Sequence, residues 1–305
     1  MNDIHTFSFF RRSTVTSLSW ILFALMLAPA TTFAQQDTLP APSSYRVNGV
    51  TFKMVRVDKG SFWMGAQHAD TAEFNYDRYS QNDEVPVHHV AIKNDFYIGQ
   101  TEVTQKLWKA VMGYNPSKKK CCKRPVTNVN YYEVQEFLRR LDSITGMEFR
   151  LPTEEEWEYA ARGGLNSRNS VFSGGNDVNK VAWHNGNTRK PRKCGKKSPN
   201  ELGIYDMSGN VWEWCSTNYR YYDRNRNAQI GKEGEMYIIR GGAWQLPPSS
   251  CRVAWRGKRL PELQNSFGGF RLALDVQIVN DEEEPAEEEP AEEEPAEDEL
   301  IEKGS

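Results

Sequence analysis

Apolar and polar positions alternate along several short stretches near the start of the folded body. Residues 51–57 (TFKMVRV) largely follow the two-residue period of a strand with one buried face. A turn at Lys59-Gly60 leads to a second predicted strand at 61–64, and further strands are predicted at 87–92 and 96–98. The pattern therefore predicts short strands throughout this part of the chain.

Helical periodicity replaces the alternation in the next segment. From Glu102 onward, apolar residues recur every three or four positions until Gly113, a typical residue for a helix end. Asn130 caps a second predicted helix, with Glu133 placed to complete a capping box. The apolar face of this helix consists of Val134, Phe137, Leu138, Leu141 and Ile144. Two amphipathic helices are therefore predicted.

A third, short helix is predicted after Thr153, which can form a capping box with Glu156. Beyond Gly163 the chain is rich in Gly, Asn and Trp, and it shows no clear helix. Nine Trp, 13 Tyr and 14 Phe provide large core side chains, while 22 Gly and 15 Pro interrupt regular structure. We therefore expect an α+β fold with long ordered loops around a small sheet.

The first 34 residues have the pattern of a secretory leader. Arg11-Arg12 precedes an apolar run at 17–27, and small residues lead to a cleavage site at Ala34-Gln35. The run is shorter than the ~20 residues of a membrane-spanning helix. Pro29 and the polar residues after it favour cleavage over an uncleaved anchor. The mature chain is expected in the periplasm or secreted to the cell surface, without a transmembrane segment.

Five cysteines in an exported chain make disulfides possible, and the odd number leaves at least one thiol unpaired or paired with another chain. No two of them have the C-x-x-C spacing, so a zinc module is not predicted. Their connectivity stays open; the residues are Cys121, Cys122, Cys194, Cys215 and Cys251.

Charge is distributed unevenly along the chain. Residues 281–305 hold 14 acidic residues against one basic residue, and three EEEPA repeats occupy 282–296. Removing the tail's net charge of −13 and the leader's +1 from the whole-chain value of −3 leaves about +9 on residues 35–280. A Glu-Pro tail has few apolar groups to bury, so it is expected to be disordered.

The tail has two interpretations. It is either a solubilising segment or an electrostatic arm for a basic surface, which could belong to the chain itself. Candidate surfaces are the cation clusters at 118–124 and 189–197. Neither cluster interleaves aromatic residues with its cations, so we interpret both as loops and not as a nucleic-acid interface.

Five motifs in the second half of the chain resemble the signature of the formylglycine-generating enzyme (sulfatase-modifying factor) family. They are LPTEEEWEYAARGG at 151–164, ELGIYDMSGNVWEW at 201–214, RGGAW at 240–244, RVAWR at 252–256 and GGFR at 268–271. Four upstream motifs fall in the family's order: GSFWMG at 60–65, EVP at 84–86, TEVT at 101–104 and PVTNV at 125–129. Several long motifs in the right order are far more specific than one short pattern.

This resemblance implies the family's C-type-lectin-like α+β domain, which has little regular secondary structure. The expected organisation is a leader at 1–34, a linker at 35–49, the domain at 50–276 and a disordered acidic tail at 277–305. The fold alone does not decide function, because the family includes copper oxidases, other enzymes and non-catalytic components of secretion and gliding machinery.

One metal site follows from the resemblance. The family's calcium positions fall on Asp206, Gly209, Val211 and Glu213. Two carboxylates and two backbone carbonyls are hard oxygen ligands of the kind that Ca²⁺ prefers. A structural Ca²⁺ is therefore expected here. The alternative is that the Gly-Asn turn is only a tight loop beside buried tryptophans.

The residues that carry oxidase chemistry in the family are incomplete in this chain. The oxidases hold Cu(I) between two Cys thiolates spaced C-x4-C, the first of them six residues after the Arg of the RGG motif, and soft thiolates suit Cu(I). Counted from Arg240, the first position is Leu246 and the second is Cys251, whereas counting back from the next arginine motif places the second at Pro248. Cys251 is expected to be a small buried residue or a disulfide partner, for example of Cys215. Cu(I) is expected only if the protein is an oxidase.

Other candidate residues favour structural roles. His88 and His89 lie on a predicted strand, where neighbouring side chains point to opposite faces and do not readily share a metal. The carboxylates at 154–156 begin a helix, where they favour the dipole and complete the cap. Eight tryptophans could line a carbohydrate groove, but their places inside the motifs favour the core: Trp63, Trp108, Trp157, Trp183, Trp212, Trp214, Trp244 and Trp255.

We therefore expect an exported, non-catalytic binding or structural component of a cell-envelope assembly of the secretion or gliding type. Its partners are expected to be proteins and not nucleic acid. Two alternatives stay open. One is a copper-dependent oxidase that generates formylglycine on sulfatases, and the other is a surface module that binds carbohydrate or protein.

Overall fold

Short strands make up much of the regular structure in the computed structural model, which describes residues 43–222 and 236–276. The predicted leader at 1–34 and tail at 277–305 lie outside the described residues. The strands within these ranges are β1 Ser43–Val47, β2 Val50–Val57, β3 Gly60–Met64, β4 His88–Ile92, β5 Phe96–Gly99, β6 Phe149–Arg150, β7 Trp212–Asn218, β8 Tyr237–Arg240, β9 Arg256–Arg259, β10 Gly268–Phe270 and β11 Ala273–Asp275. The strands predicted between residues 51 and 98 are confirmed, with ends shifted by at most one residue.

The strands form three small sheets. The largest has the order β1-β2-β5-β11-β6 and is antiparallel throughout. A four-stranded sheet has the order β10-β7-β8-β9, in which β10 and β7 are parallel, and β3 pairs with β4 in a hairpin-like third sheet. Strand β1 lies within the segment 35–49 that the sequence predicts as a linker. This part of the segment is ordered, because Val47 is buried and the strand pairs along its length with β2.

The described residues form four α-helices beside the sheets, and the two longest begin where the sequence predicts. They are α1 Gln105–Met112, α2 Tyr131–Thr145, α3 Glu154–Arg162 and α4 Val178–Val181. Both predicted capping boxes are present, at Asn130 with Glu133 and at Thr153 with Glu156. Each box satisfies two backbone N–H groups that a helix start leaves without partners. Ile144 is 45% exposed, so its predicted place on the buried face of α2 is wrong.

Aromatic rings join the helices to the sheets. Trp108 of α1, Phe137 of α2 and Phe270 of β10 are fully buried and contact one another, with ring centroids 5.2 to 6.0 Å apart. A second cluster surrounds Trp157 of α3 and includes Phe96 of β5. Burial of such large rings contributes a large apolar area to a fold with little regular structure.

The expected α+β fold with modest helical content is confirmed. No helix in the described ranges has both the length and the apolar character needed to cross a bilayer.

Candidate functional site

The arginines of the sequence motifs are buried and paired with glutamates. Arg271 and Glu213 form two hydrogen bonds of 2.6 Å, from Nε to Oε2 and from Nη2 to Oε1. Arg256 binds Glu154 in the same two-pronged way, at 2.7 and 2.8 Å. The other two pairs are Arg252 with Glu84 and Arg240 with Glu158. These charges therefore connect elements of the domain and do not face an open surface.

The carboxylates at the start of α3 divide between two roles. Glu156 completes the cap, because its Oε2 accepts from the Thr153 backbone N–H at 2.9 Å. Glu154 also lies in the first turn as predicted, but it is 2% exposed and binds Arg256, which is a role beyond the helix start. The partner lies about a hundred residues away, which is why spacing along the sequence does not reveal it.

The predicted calcium turn is tight and buried. Asp206 and Asn210 both adopt left-handed backbone conformations, with φ of 59° and 58°. Gly209 lies so close to Trp183 that a Cβ atom there would be 2.3 Å from the Trp183 carbonyl oxygen, so this position requires glycine. Asp206 is 3% exposed, and its Oδ2 accepts from the Gly195 backbone N–H at 2.6 Å. Its Oδ1 has no hydrogen-bond partner.

A second carboxylate, missed in the sequence, lies beside this turn. Glu102 is 1% exposed, its Oε1 accepts from Asn210 Nδ2 at 2.8 Å, and its Oε2 has no conventional hydrogen-bond partner. Burial and the nearby charge of Asp206 raise the pKa of Glu102 well above its usual range. Burial raises the pKa of Asp206 to about 6. Two unpartnered carboxylate oxygens in a buried site are a place where a cation would be stabilised.

Glu213 differs from Asp206 because its carboxylate is already engaged. Both of its oxygens accept from Arg271, and Oε2 also accepts from Trp157 Nε1 at 2.6 Å. No group of three or more His, Cys, Asp or Glu side chains among the described residues is arranged to hold a metal ion. Asp206 and Glu102 thus each keep one carboxylate oxygen without an N–H or O–H donor among the described residues, whereas both oxygens of Glu213 are engaged.

The loop that would hold copper in an oxidase has a different structure here. Leu246 packs against the main hydrophobic cluster. Cys251 ends a 3-10 turn at Pro248–Cys251 and is fully buried, with its thiol 3.9 Å from the Pro247 carbonyl oxygen. Burial raises the pKa of the Cys251 thiol to about 12. The loop therefore presents one protonated thiol that faces the interior, and Leu246 offers no second donor.

All five cysteines are free thiols in the structure. Cys251 packs with Val181 and Ala182, whereas Cys215 lies in the separate cluster around Trp157. The suggested pairing of Cys215 with Cys251 is therefore wrong, because different hydrophobic clusters hold the two side chains.

A cavity of about 580 Å³ opens beside this loop. Three aromatic side chains line it, Tyr76, Tyr79 and Phe172, together with the polar groups of Asn176 and Ser249. The remaining lining residues are Asp77, Arg78, Val171, Pro248 and Arg252. The cavity thus brings together three segments that are far apart in the sequence, and the sequence signal for it is limited to the tyrosine-rich stretch at 75–81.

The tryptophans do not form a common groove. Four of them, Trp108, Trp157, Trp212 and Trp214, are buried, as their places inside the motifs predict. Trp63 is 40% exposed and stacks on Phe74 with ring centroids 5.1 Å apart. The neighbouring His88 and His89 contact different partners, Tyr222 and Trp63, so they do not form a shared metal site.

A sequence profile of the sulfatase-modifying factor enzyme 1-like domain matches residues 41–276. The chaperone protein LppX of Paenibacillus barcinonensis is 32% identical over 216 residues, which cover 54% of this chain and 75% of the relative. The formylglycine-generating enzyme of Streptomyces coelicolor is 31% identical over 178 residues, or 51% of this chain and 54% of the enzyme. Other curated relatives are matched over as little as 24% of their length.

The fold has solved counterparts. The structure of Treponema denticola variable protein 1 superimposes with a TM-score of 0.64 at 29% identity, over 78% of this chain and 100% of that one. The C-type-lectin-like α+β fold expected from the motifs therefore agrees with both the sequence profile and the solved structures.

Proposed function

This chain belongs to the sulfatase-modifying factor enzyme 1-like family, and we propose that within the family it is a non-catalytic binding component of a cell-envelope assembly. A binding component needs a recessed, partly aromatic surface and does not need an activated nucleophile. The leader-like pattern at 1–34 supports a place outside the cytoplasm. A family relative named as a chaperone protein supports a role other than formylglycine formation.

The observation that carries this proposal is the structure of the loop between Arg240 and Arg252. Where an oxidase needs two thiolates, the loop has an apolar Leu246 and an inward-facing Cys251 whose thiol stays protonated at neutral pH. The same loop uses Pro248 and Ser249 to build one wall of the 580 Å³ cavity. The segment that carries chemistry in the oxidases therefore contributes to a recess in this protein.

The cavity has the surface of a protein-recognition site. Tyr76 and Tyr79 are 39% and 57% exposed, so their rings are available to a partner. Arg78 lies over the Tyr79 ring, 5.6 Å from its centroid, and restrains that side chain. Below them, Arg252 is fixed by Asp77 and Glu84, which makes the floor of the cavity rigid. Rigid aromatic anchors at a recess are typical of the residues that dominate binding energy in protein complexes.

We also propose that a structural Ca²⁺ holds the turn at Asp206. The support is the pair of unpartnered oxygens, Asp206 Oδ1 and Glu102 Oε2, in a site that water does not reach. Without a cation, Asp206 Oδ1 is a buried acceptor that lacks a donor, which is costly, and besides Asn210 the Glu102 carboxyl meets the weak thiol donor of Cys194. Gly209 and Val211 complete the set with backbone carbonyls, whereas Glu213 supports the turn through Arg271.

Site-specific photo-crosslinking in the native host tests the binding role. A photoreactive phenylalanine analogue at Tyr79 should give a discrete covalent adduct with an envelope protein. The matched control is Tyr132, which is also an exposed tyrosine, at 61% exposure, but lies on α2. A cavity-filling Ser249→Trp variant should remove the Tyr79 adduct.

Equal adducts from both positions, or an adduct at Tyr79 that survives Ser249→Trp, would contradict binding at the cavity, as would no adduct at Tyr79 at all. A glycan partner would be detected as an adduct that a glycosidase shifts in mass and a protease does not, and it would favour the carbohydrate-binding alternative.

A further inference from the structure

The two cation clusters that the sequence separates by some sixty residues are adjacent in the structure. The Cys194 backbone N–H donates to the Lys123 carbonyl at 2.9 Å, which joins the segment 189–197 to the segment 118–124. A backbone hydrogen bond from Lys123 lowers the pKa of the Cys121 thiol, and the nearby charges of Arg124 and Lys193, one from each segment, lower it further. We call the combined surface the basic face.

Backbone anchors hold the basic face in place. Gln105 at the start of α1 anchors the segment 118–124, because its backbone N–H donates to the Arg124 carbonyl at 2.8 Å. The second segment is fixed to the turn described above, because Gly195 N–H donates to Asp206 and Arg192 N–H donates to Asn210, at 2.6 and 2.8 Å. The cations therefore project from ordered backbone.

Apart from Lys197, which is near Asp177 and Asp206, the cations of this face have no ion-pair partner within the described part of the chain. Neither 118–124 nor 189–197 contains an acidic residue. The exposed cations are Lys118, Lys119, Lys120, Lys123, Arg189, Lys190, Arg192, Lys193 and Lys196, and none of them forms an ion pair with a described residue. Like charges at such density repel one another and attract a polyanion.

The chain carries such a polyanion 5 residues after its last described residue. Residues 281–305 hold 14 carboxylates and one lysine, and their repeats contain no aromatic or branched apolar residue. The described chain leaves the domain at the end of β11, where Asp275 pairs with Phe96 at the start of β5. The basic face adjoins the other end of β5, because Gly195 lies against Thr101.

The length of the tail matches this separation. Thr101 follows Phe96 by five residues, two of them beyond the end of β5, so the two lie at most about 17 Å apart. The six residues between Asp275 and Glu282 span up to about 20 Å when extended. The first EEEPA repeat can therefore reach the basic face, and the other two repeats can extend over it.

We propose that the basic face binds the chain's own acidic tail, the EEEPA repeats at 282–296. Glutamate carboxylates pair with the exposed lysines and arginines in several interchangeable registers, as repeated identical units allow. The covalent link keeps the tail at a high effective concentration, so it outcompetes dilute anions from outside. The tail thus shields the basic face from other acidic ligands, and an anion in large excess can displace it.

Zero-length crosslinking of the full chain tests this contact. A carbodiimide joins a lysine amine to a carboxylate only when the two are in direct contact, and mass spectrometry identifies the pairs. We expect crosslinks from the tail glutamates to Lys118, Lys119 and Lys120. They should fall at least about tenfold in 1 M NaCl, where the Debye length is only about 3 Å. A mixture of ¹⁵N-labelled and unlabelled chains separates contacts within a chain from contacts between chains.

Matched variants complete the test. Lys118→Gln, Lys119→Gln and Lys120→Gln together should at least halve the tail crosslinks to Lys190, Lys193 and Lys196. The control triple, Arg46→Gln, Lys59→Gln and Lys93→Gln, removes the same charge from exposed positions on other loops and strands and should leave those crosslinks unchanged.

Three results would overturn the proposal: equal crosslinking to the exposed Lys258 on β9, crosslinks that occur only between chains, and the absence of tail crosslinks. A fluorescent peptide with the sequence of residues 281–305 gives a second readout. It should bind at least about tenfold more tightly to a chain whose repeats are changed from EEEPA to QQQPA than to the wild-type chain, because the wild-type tail competes for the same face. Equal affinities would mean that the tail does not occupy the face.

Discussion

Four of the motif arginines, Arg240, Arg252, Arg256 and Arg271, are held by carboxylates that are distant in the sequence, whereas Arg162 pairs with Glu158 one helical turn away. Arg256 on β9 binds Glu154 on α3, and Arg271 after β10 binds Glu213 on β7. Removing one partner from a buried pair of this kind typically costs about 3–5 kcal/mol, because the other charge is left without compensation. The pairs therefore explain why the motifs are rich in charge although most of these charges lie in the interior.

Calcium is expected to stabilise the domain through Asp206. A ligand that binds only the folded state raises the free energy of unfolding by about 2.7 kcal/mol at a hundredfold excess over Kd. EGTA should therefore lower the melting temperature of the wild type, and added calcium should restore it. Asp206→Asn should respond to neither. This variant is more informative than one at Glu213, because a change at Glu213 also breaks the pair with Arg271.

The control for this experiment is Asp142→Asn, which changes a partly buried carboxylate that binds the Phe149 backbone N–H on another part of the domain. It should keep the wild-type response to calcium. A wild type that is indifferent to both calcium and EGTA would show that the turn at Asp206 is purely structural.

The calcium effect should also depend on pH. The pKa of Asp206 is raised by burial to about 6, from an ordinary value of 3.8. Since the folded state holds this proton more tightly than the unfolded state, the group's contribution to stability is present below pH 3.8 and is lost as the pH rises through 6. Calcium binds the deprotonated carboxylate, so its stabilising effect should grow between pH 5 and pH 7. A calcium effect that is constant over this range would argue against Asp206 as a ligand.

At the scale of elements, the sequence predicts those helices and strands whose ends are determined by neighbouring residues. The capping boxes at Asn130 and Thr153 and the glycine after α1 are local features, and they place the helix ends to within a few residues. Strand β1 was missed because its short pattern becomes a strand only by pairing with β2. Helix α4 was missed because it is four residues long and its cap, Asp177, lies in a loop-rich segment.

The loop between Arg240 and Arg252 leads to a prediction about chemistry. Purified, reduced and copper-loaded protein should not convert the Cys of a sulfatase-motif peptide to formylglycine in the presence of O₂. The physical reason is the lack of a thiolate pair: Leu246 has no donor atom, and burial keeps the Cys251 thiol protonated. The measurement is the mass of the peptide Cys, with a no-enzyme reaction as the baseline.

A Cys251→Ser variant is the control for that assay. Aldehyde above the baseline that this variant loses would establish the oxidase alternative. Aldehyde that the variant retains would point to another thiol of the chain, and both results would contradict the non-catalytic proposal.

At the scale of the whole molecule, the candidate sites arise from segments that meet only in the folded chain. The residues of the proposed calcium turn come from the family resemblance, whose motif at 201–214 contains all of them. Glu102 could not, since it reaches Asn210 from 108 positions away. The cavity and the basic face have the same origin: Tyr79 meets Ser249, and Lys123 meets Cys194, through the packing of loops that have no periodic pattern.

Deletion of residues 281–305 is expected to change the charge of the molecule much more than its stability. The net charge moves from −3 to +10, because the deleted segment carries −13. The tail has almost no apolar groups to pack, and ion pairs between exposed side chains contribute little at physiological salt, so the melting temperature should stay within about 2 °C of the wild type. The same chain should bind a cation exchanger that the wild type does not. A variant that keeps the tail's length but changes EEEPA to QQQPA distinguishes the effect of the tail's charge from the effect of its presence. A fall in melting temperature of much more than 2 °C in both variants would mean that the tail charges are needed for the stability of the fold. They would then not merely bind the basic face reversibly.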